Sequence, residues 1–232
     1  MADDAVTRVP ARHLPALLAG AVVALQLVYP LAGPSTRHHL SVAIVAGLAL
    51  TCVVHAGLTR GPGRAVALLA GTAVPGFAVE VLGVHTGFPF GAYAYSDVLG
   101  PRLFGVPPVV GLAWTMLAWP AGLAARRLVR GRVARVLVGA WALAVADLFL
   151  DPQLVATGAW TWRFPSPHLP GVPDVPLTNY AGWLLVALVL SAVVQAIAGE
   201  GSDVVPVAVY LWLYGGWTLA LAAFLDLGAA AG

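Results

Sequence analysis

The chain has 232 residues, of which 60% are hydrophobic and only 9% charged, with a mean hydropathy of +0.88. Soluble domains carry about a quarter charged residues, so that class is excluded and a polytopic membrane protein is predicted. The formal charge of +2 and the pI of about 9.0 come from arginines between apolar runs, which report membrane topology and are no evidence for nucleic acid.

Uncharged apolar runs fall at roughly 14–34, 40–58, 65–82, 103–124, 136–150, 179–198 and 204–225, most near the ~20 residues that a spanning helix needs. They predict an all-α bundle of about seven transmembrane helices, in one integral membrane domain over residues 1–232, with the fifth helix the shortest. The first run follows Arg8 and Arg12 as a signal sequence would, but it is too long for a cleaved apolar segment. It reads as an uncleaved first helix behind a short cytoplasmic tail, residues 1–12. All 12 basic residues are arginine, and the lack of lysine rules out a retinal Schiff base. Arg8, Arg12, Arg60, Arg64, Arg126, Arg127, Arg130, Arg132 and Arg135 lie in the tail and the second and fourth loops, against Arg37, Arg102 and Arg163 in the alternate loops. The positive-inside rule then puts the N-terminus in the cytoplasm and makes this a multi-pass protein of the cell membrane, surrounded by lipid bilayer. The single Cys52 provides no disulfide framework or thiol pair.

Two long loops, about 84–102 and 151–178, emerge on the outer face and resemble each other. The first follows Glu80 with Thr86-Gly87, Tyr93-Ala94-Tyr95 and Gly105-Val106-Pro107. The second follows Asp151 with Thr157-Gly158, Trp160-Thr161-Trp162 and Gly171-Val172-Pro173. The match has the form of a parallel internal repeat about an axis along the membrane normal.

Ionisable groups within spanning helices are costly and are functional candidates by default. Here they are Glu80, Asp147 and Asp151, all toward the outer ends of outward-running helices, whereas Asp226 reads as an interfacial residue at the chain's end. Asp147 and Asp151 in "DLFLD" are four apart, hence on one helical face, and Pro152 is expected to end that helix. The helix dipole and the lipid both disfavour charge there, so at least one of these groups suits the role of a neutral, proton-donating acid. The rings Phe88, Phe90, Tyr93, Tyr95, Trp160 and Trp162 alternate within glycine-rich loops and can cover those acids, their faces stabilising a cation by up to roughly 2 kcal/mol when desolvated. Trp114, Trp119, Trp141 and Trp217 read as an interfacial belt or as packing. The six histidines contain no pair spaced by three or four, so neither a metal nor any other cofactor is expected.

The stretches "EVLGVHTGFPFGAYAYSDVLGPRLFGVP" (80–107), "DLFLDPQLVATGAWTW" (147–162) and "NYAGW" (179–183) resemble the membrane-bound carotenoid hydratases, a family that includes gamma-carotene and bisanhydrobacterioruberin hydratases. The resemblance covers roughly residues 64–200, and within it "RFPSPHLPGVPDVPLT" is longer and richer in proline than the family pattern. It implies a cofactor-independent hydro-lyase that adds water to the terminal carbon–carbon double bond of an acyclic C40 or C50 carotenoid. An acid must protonate the less substituted carbon, leaving a tertiary cation for water to capture. Glu80 or Asp151 is the expected donor, and Asp147 or Asp151 the group that activates water. Phe88, Phe90, Tyr93, Tyr95, Asp97, Arg102, Trp160, Trp162 and Asn179 form the expected substrate-binding set, with Arg102 and Asn179 orienting the water or the loops. A carotenoid cyclase would be served by the same residues without water. A prenyltransferase using "DLFLD" for magnesium diphosphate lacks a second acidic cluster. A transporter or pigment-binding protein would need ionisable groups through the membrane depth.

Overall fold

The computed structural model describes residues 10–223, so Arg8 and Asp226 lie outside the described residues. Among these, seven helices run in alternating directions: α1 (Leu14–Val28), α2 (Pro34–Arg60), α3 (Pro62–Thr86), α4 (Val109–Leu128), α5 (Arg132–Ala156), α6 (Leu177–Ile197) and α7 (Val204–Ala223). Five segments, Ala11–Leu31, Pro34–Arg60, Pro62–Thr86, Arg132–Ala156 and Leu177–Ile197, are long and apolar enough to cross a membrane. The chain is an all-α, polytopic helical bundle, as its composition requires.

Helix α4 sits at the centre, packed on α2, α3, α5, α6 and α7. Its sides carry small residues and large buried side chains, including Trp114, Leu117, Trp119 and Leu123. Arg126 and Arg127 fall in its last turn, at the end of the bundle, where the Arg127 side chain is exposed. Helix α3 contains one π-helical turn at Leu69–Ala73, just before Pro75, whose missing N–H cannot continue the regular ladder. It ends at Gly87, which takes the left-handed conformation (φ +78°) and returns its N–H to the Gly83 carbonyl at 2.7 Å.

Two expectations change. The first helix stops at Val28, where Pro30 turns the chain through a 3-10 turn, Tyr29–Leu31. The fifth helix is not the shortest but runs 25 residues, through Pro152 to Ala156. Its apolar run is shorter than the helix because the two aspartates inside it are buried against α6 instead of facing lipid. Proline in that last stretch removes only the bond to the Leu148 carbonyl, so one more turn continues beyond it. Asp151 therefore lies inside the helix, 1% exposed, and is no terminal cap.

The two matching loop motifs become the two strands of one antiparallel ribbon. Strand β1 (Tyr93–Tyr95) pairs with β2 (Trp160–Trp162) in the register Tyr93↔Trp162, Ala94↔Thr161 and Tyr95↔Trp160. Flanking bonds from Ser96 N to the Ala159 carbonyl and from Arg163 N to the Ala92 carbonyl extend it. With a side-chain period of two, both tyrosines point into the bundle and Ala94 and Thr161 point out. A second small hairpin, β3 (His168–Leu169) with β4 (Val172–Pro176), occupies the proline-rich stretch and leads into α6.

The opposite end of the bundle is held by arginines. Arg60 pairs with Asp203 and donates to the Ser202 carbonyl (3.2 Å), Arg64 donates to Ile197 O (2.8 Å) and Arg126 to Gly199 O (2.7 Å). These cations satisfy the carbonyls at and beyond the C-terminus of α6, the negative end of its dipole.

Candidate active site

The ribbon lies over three buried carboxyls contributed by α3 and α5. Glu80 is 5% exposed and accepts three hydrogen bonds from uncharged donors. The Tyr93 and Tyr95 hydroxyls both donate to Oε2, the latter at 2.9 Å, and the Trp114 indole N–H donates to Oε1 at 3.2 Å. Burial, reinforced by the Glu80 carboxylate, pushes both phenols well above their ordinary range, so they remain donors at physiological pH.

The sequence of α3 makes room for this arrangement. Gly76, Glu80 and Gly83 fall on one helical face, and a Cβ on Gly76 would sit 2.4 Å from the Trp114 ring, one on Gly83 2.8 Å from the Tyr93 oxygen. Trp114 and Tyr93 thus approach the acid through gaps that only glycine leaves.

One turn of α5 supplies the other two acids. Asp147 and Asp151 are both buried, and Asn179 in the first turn of α6 donates its side-chain amide to both, to Asp147 Oδ2 at 2.7 Å and to Asp151 Oδ2. One amide group bridging two carboxyls holds them close in a low-dielectric setting, where two negative charges repel strongly. A single proton shared by the pair relieves that repulsion. Among the described residues no cation pairs with Glu80, Asp147 or Asp151.

Rings enclose the acids. Tyr93 packs on Tyr95 (5.6 Å between centroids) and Trp162 (5.8 Å), Tyr95 meets Trp160 edge-on (5.4 Å), and Phe90 stacks toward Trp114 (6.4 Å), which lies 4.3 Å from Trp183. Trp162 also donates to the Phe90 carbonyl at 2.9 Å, tying the second loop to the first. These contacts pack rings closely around the acids and gather the polar groups at one spot.

Residues 38–231 match the family described as carotenoid biosynthesis protein. The chain belongs to that family. Among relatives, a bisanhydrobacterioruberin hydratase from Haloarcula japonica is 35% identical over 127 residues, a stretch covering 53% of this chain and 42% of that protein. The chain therefore aligns with less than half of that relative's length. No solved structure matches the chain.

In this member of the carotenoid biosynthesis family, the bundle brings together Glu80, Asp147, Asp151, Phe90, Tyr93, Tyr95, Trp160, Trp162 and Asn179 from the expected set. Phe88, Asp97 and Arg102 stay outside it. Phe88 is exposed, and Asp97 pairs with Arg102 at 2.9 Å on the surface. Arg102 also donates to the Tyr95 carbonyl at 2.6 Å, so it braces the ribbon from outside and does not reach the acids. His85 and His168 are exposed and bonded to nearby backbone carbonyls. The sequence reading missed Trp114, Trp183 and Tyr180. The Gly76–Glu80–Gly83 stripe was the available signal for Trp114, because glycines flanking a helical acid imply a bulky partner. Trp183 and Tyr180 lie in "NYAGW" but on helix faces that spacing alone does not orient.

Proposed function

We propose that this chain hydrates the terminal carbon–carbon double bond of an acyclic carotenoid end group, C40 or C50, giving a tertiary alcohol without a redox step. It does so as a multi-pass protein of the cell membrane forming one integral membrane domain. Family membership and the partial match to a bacterioruberin-pathway hydratase support the substrate class. The observation that carries the reading is that three buried carboxyls are surrounded by uncharged donors and rings, with no cation among the described residues to neutralise them.

Such a site suits protonation of an alkene followed by stabilisation of a cation. The Asp147–Asp151 pair carries one proton, and Asp151, nearest the ribbon, gives it to the less substituted alkene carbon. The π electrons form the new C–H bond and leave a tertiary cation. Glu80, which accepts hydrogen bonds from three neutral donors, faces that cation as a carboxylate, and Tyr93, Tyr95, Trp160 and Trp162 offer their ring faces to it. Water attacks the cation, and its released proton goes to Asp147. The donor assignment falls on Asp151 in preference to Glu80, because Asp151 belongs to the pair that shares a proton, whereas Glu80 accepts all three of its hydrogen bonds. A stiff polyene comparable with the ~30 Å hydrocarbon core can present one end to this layer.

The test is expression in cells that make lycopene or a C50 precursor. Products heavier by one water per modified end are expected. Products of unchanged mass but altered absorbance would indicate cyclisation instead. A chain that leaves every acyclic carotenoid unchanged would overturn the reading.

A further inference from the structure

We infer that Tyr180, together with Asp147, holds the water that captures the carbocation, and so decides whether a protonated end group becomes an alcohol. This assignment rests on the hydratase reading above.

Buried polar side-chain atoms almost always find a partner, so those that do not call for an explanation. Among the described residues, Asp147 Oδ1, the Tyr180 hydroxyl and the Trp160 indole N–H are buried without a hydrogen bond. All three belong to the shell of one aspartate pair. Asp147 Oδ2 is already taken by Asn179, which leaves Oδ1 as the free acceptor. Tyr180 follows Asn179 directly, so the turn of α6 whose amide bridges the two aspartates also carries this phenol. Both aspartates lie within electrostatic reach of its hydroxyl, and the Trp160 indole N–H is directed to Asp151, which leaves Asp147 Oδ1 and the phenol for a water.

Asp147 Oδ1 and the Tyr180 hydroxyl are chemically complementary: a carboxylate oxygen that accepts, and a phenol that donates or accepts. A buried water needs two to four polar partners, and these two supply the minimum. Water that donates one hydrogen to Asp147 Oδ1 and accepts from the Tyr180 hydroxyl keeps a lone pair for the cation. The step balances within the site. Asp151 loses a proton to carbon, the water oxygen forms the C–O bond, and the water's proton moves to Asp147. The pair holds one proton before and after, and transfer between the two aspartates resets it. Tyr180 stays protonated throughout, so its role is to position the nucleophile.

Without a held water the cation lives longer, and loss of the original hydrogen from the protonated carbon, in place of the one just added, regenerates the alkene with exchange. The experiment therefore follows two products in D₂O, using purified full-length chain in lipid nanodiscs with lycopene as the probe. One is the alcohol, and the other is recovered alkene with deuterium at the vinylic position. Tyr180→Phe is expected to slow alcohol formation about tenfold or more, while the ratio of exchanged alkene to alcohol rises by a similar factor. Tyr180→Gln, which keeps a shorter polar group in place of the phenol, is expected to move the ratio in the same direction, and serves if Tyr180→Phe does not fold. An unchanged ratio in a folded variant, or loss of exchange and alcohol together, would overturn the assignment. Wild-type chain that neither hydrates nor exchanges any acyclic carotenoid would instead overturn the hydratase reading itself, and this inference with it.

Discussion

The two ends of the bundle both bury carboxyl groups, but they treat them in opposite ways. At the arginine end, Asp203 faces two cations, Arg60 and Arg127, the latter at 3.2 Å, and Arg60 stacks over the Trp119 ring at 5.1 Å. Trp119 in turn donates to His55 Nδ1 at 3.2 Å. At the ribbon end, Glu80, Asp147 and Asp151 meet only phenols, indoles and an amide. An ion pair neutralises its carboxylate and leaves it chemically quiet. A carboxyl surrounded by neutral donors keeps either its charge or its proton available, at the expense of stability. The first arrangement fastens helices, and the second is fit for proton transfer and cation stabilisation.

This contrast is broken most sharply by exchanging charges at either end. Glu80→Gln is expected to lower the rate of water addition by at least about a hundredfold, since on the proposed mechanism it removes the anion facing the cation while keeping the size of the side chain. Product mass spectrometry after equal expression checks it. At the other end, Asp203→Asn leaves Arg60, whose side chain is 1% exposed, buried without its counter-ion. Losing one partner of a buried pair costs about 3–5 kcal/mol, so the melting temperature in detergent should fall clearly. Product per folded molecule should stay near wild type. If Asp203→Asn instead removes activity at unchanged stability, the division of labour between the two ends is wrong.

Smaller changes sharpen the picture within the ribbon end. Tyr95→Phe deletes one donor to a charged acceptor, about 1.5–3 kcal/mol, and should slow turnover roughly tenfold while the ring still packs on Trp160. Arg102→Ala removes an exposed pair with Asp97 and a bond to the Tyr95 carbonyl. Because exposed pairs contribute at most about 1 kcal/mol, activity should change by less than about fivefold. An effect on Arg102→Ala as large as on Tyr95→Phe would move Arg102 into the site.

Several of these features could be read from residue order. Hydropathy placed the helices, since a spanning segment has no other way to satisfy its backbone in lipid. Acids inside apolar runs stood out for the same reason, and so did aromatic alternation in two glycine-rich loops. The ends of α5 were misread, because burial of Asp147 and Asp151 against α6 is a tertiary fact that hydropathy scores as polarity. The two loop motifs looked like a repeat, whereas in the fold they are partners in one ribbon. Sequence similarity alone did not tell likeness from pairing.

Residue order by itself determined the membrane class, the helix count, the three acids and the rings near them, because lipid leaves a chain few choices and makes each charge conspicuous. Only the tertiary structure decided that Glu80 takes three neutral donors, that Asn179 bridges the aspartates, and that Tyr180 stands beside them with a free hydroxyl. The hydrogen bonds among them join residues 13 to 34 apart in the chain. They depend on which faces α3, α4, α5 and α6 turn toward one another, and that is set by packing.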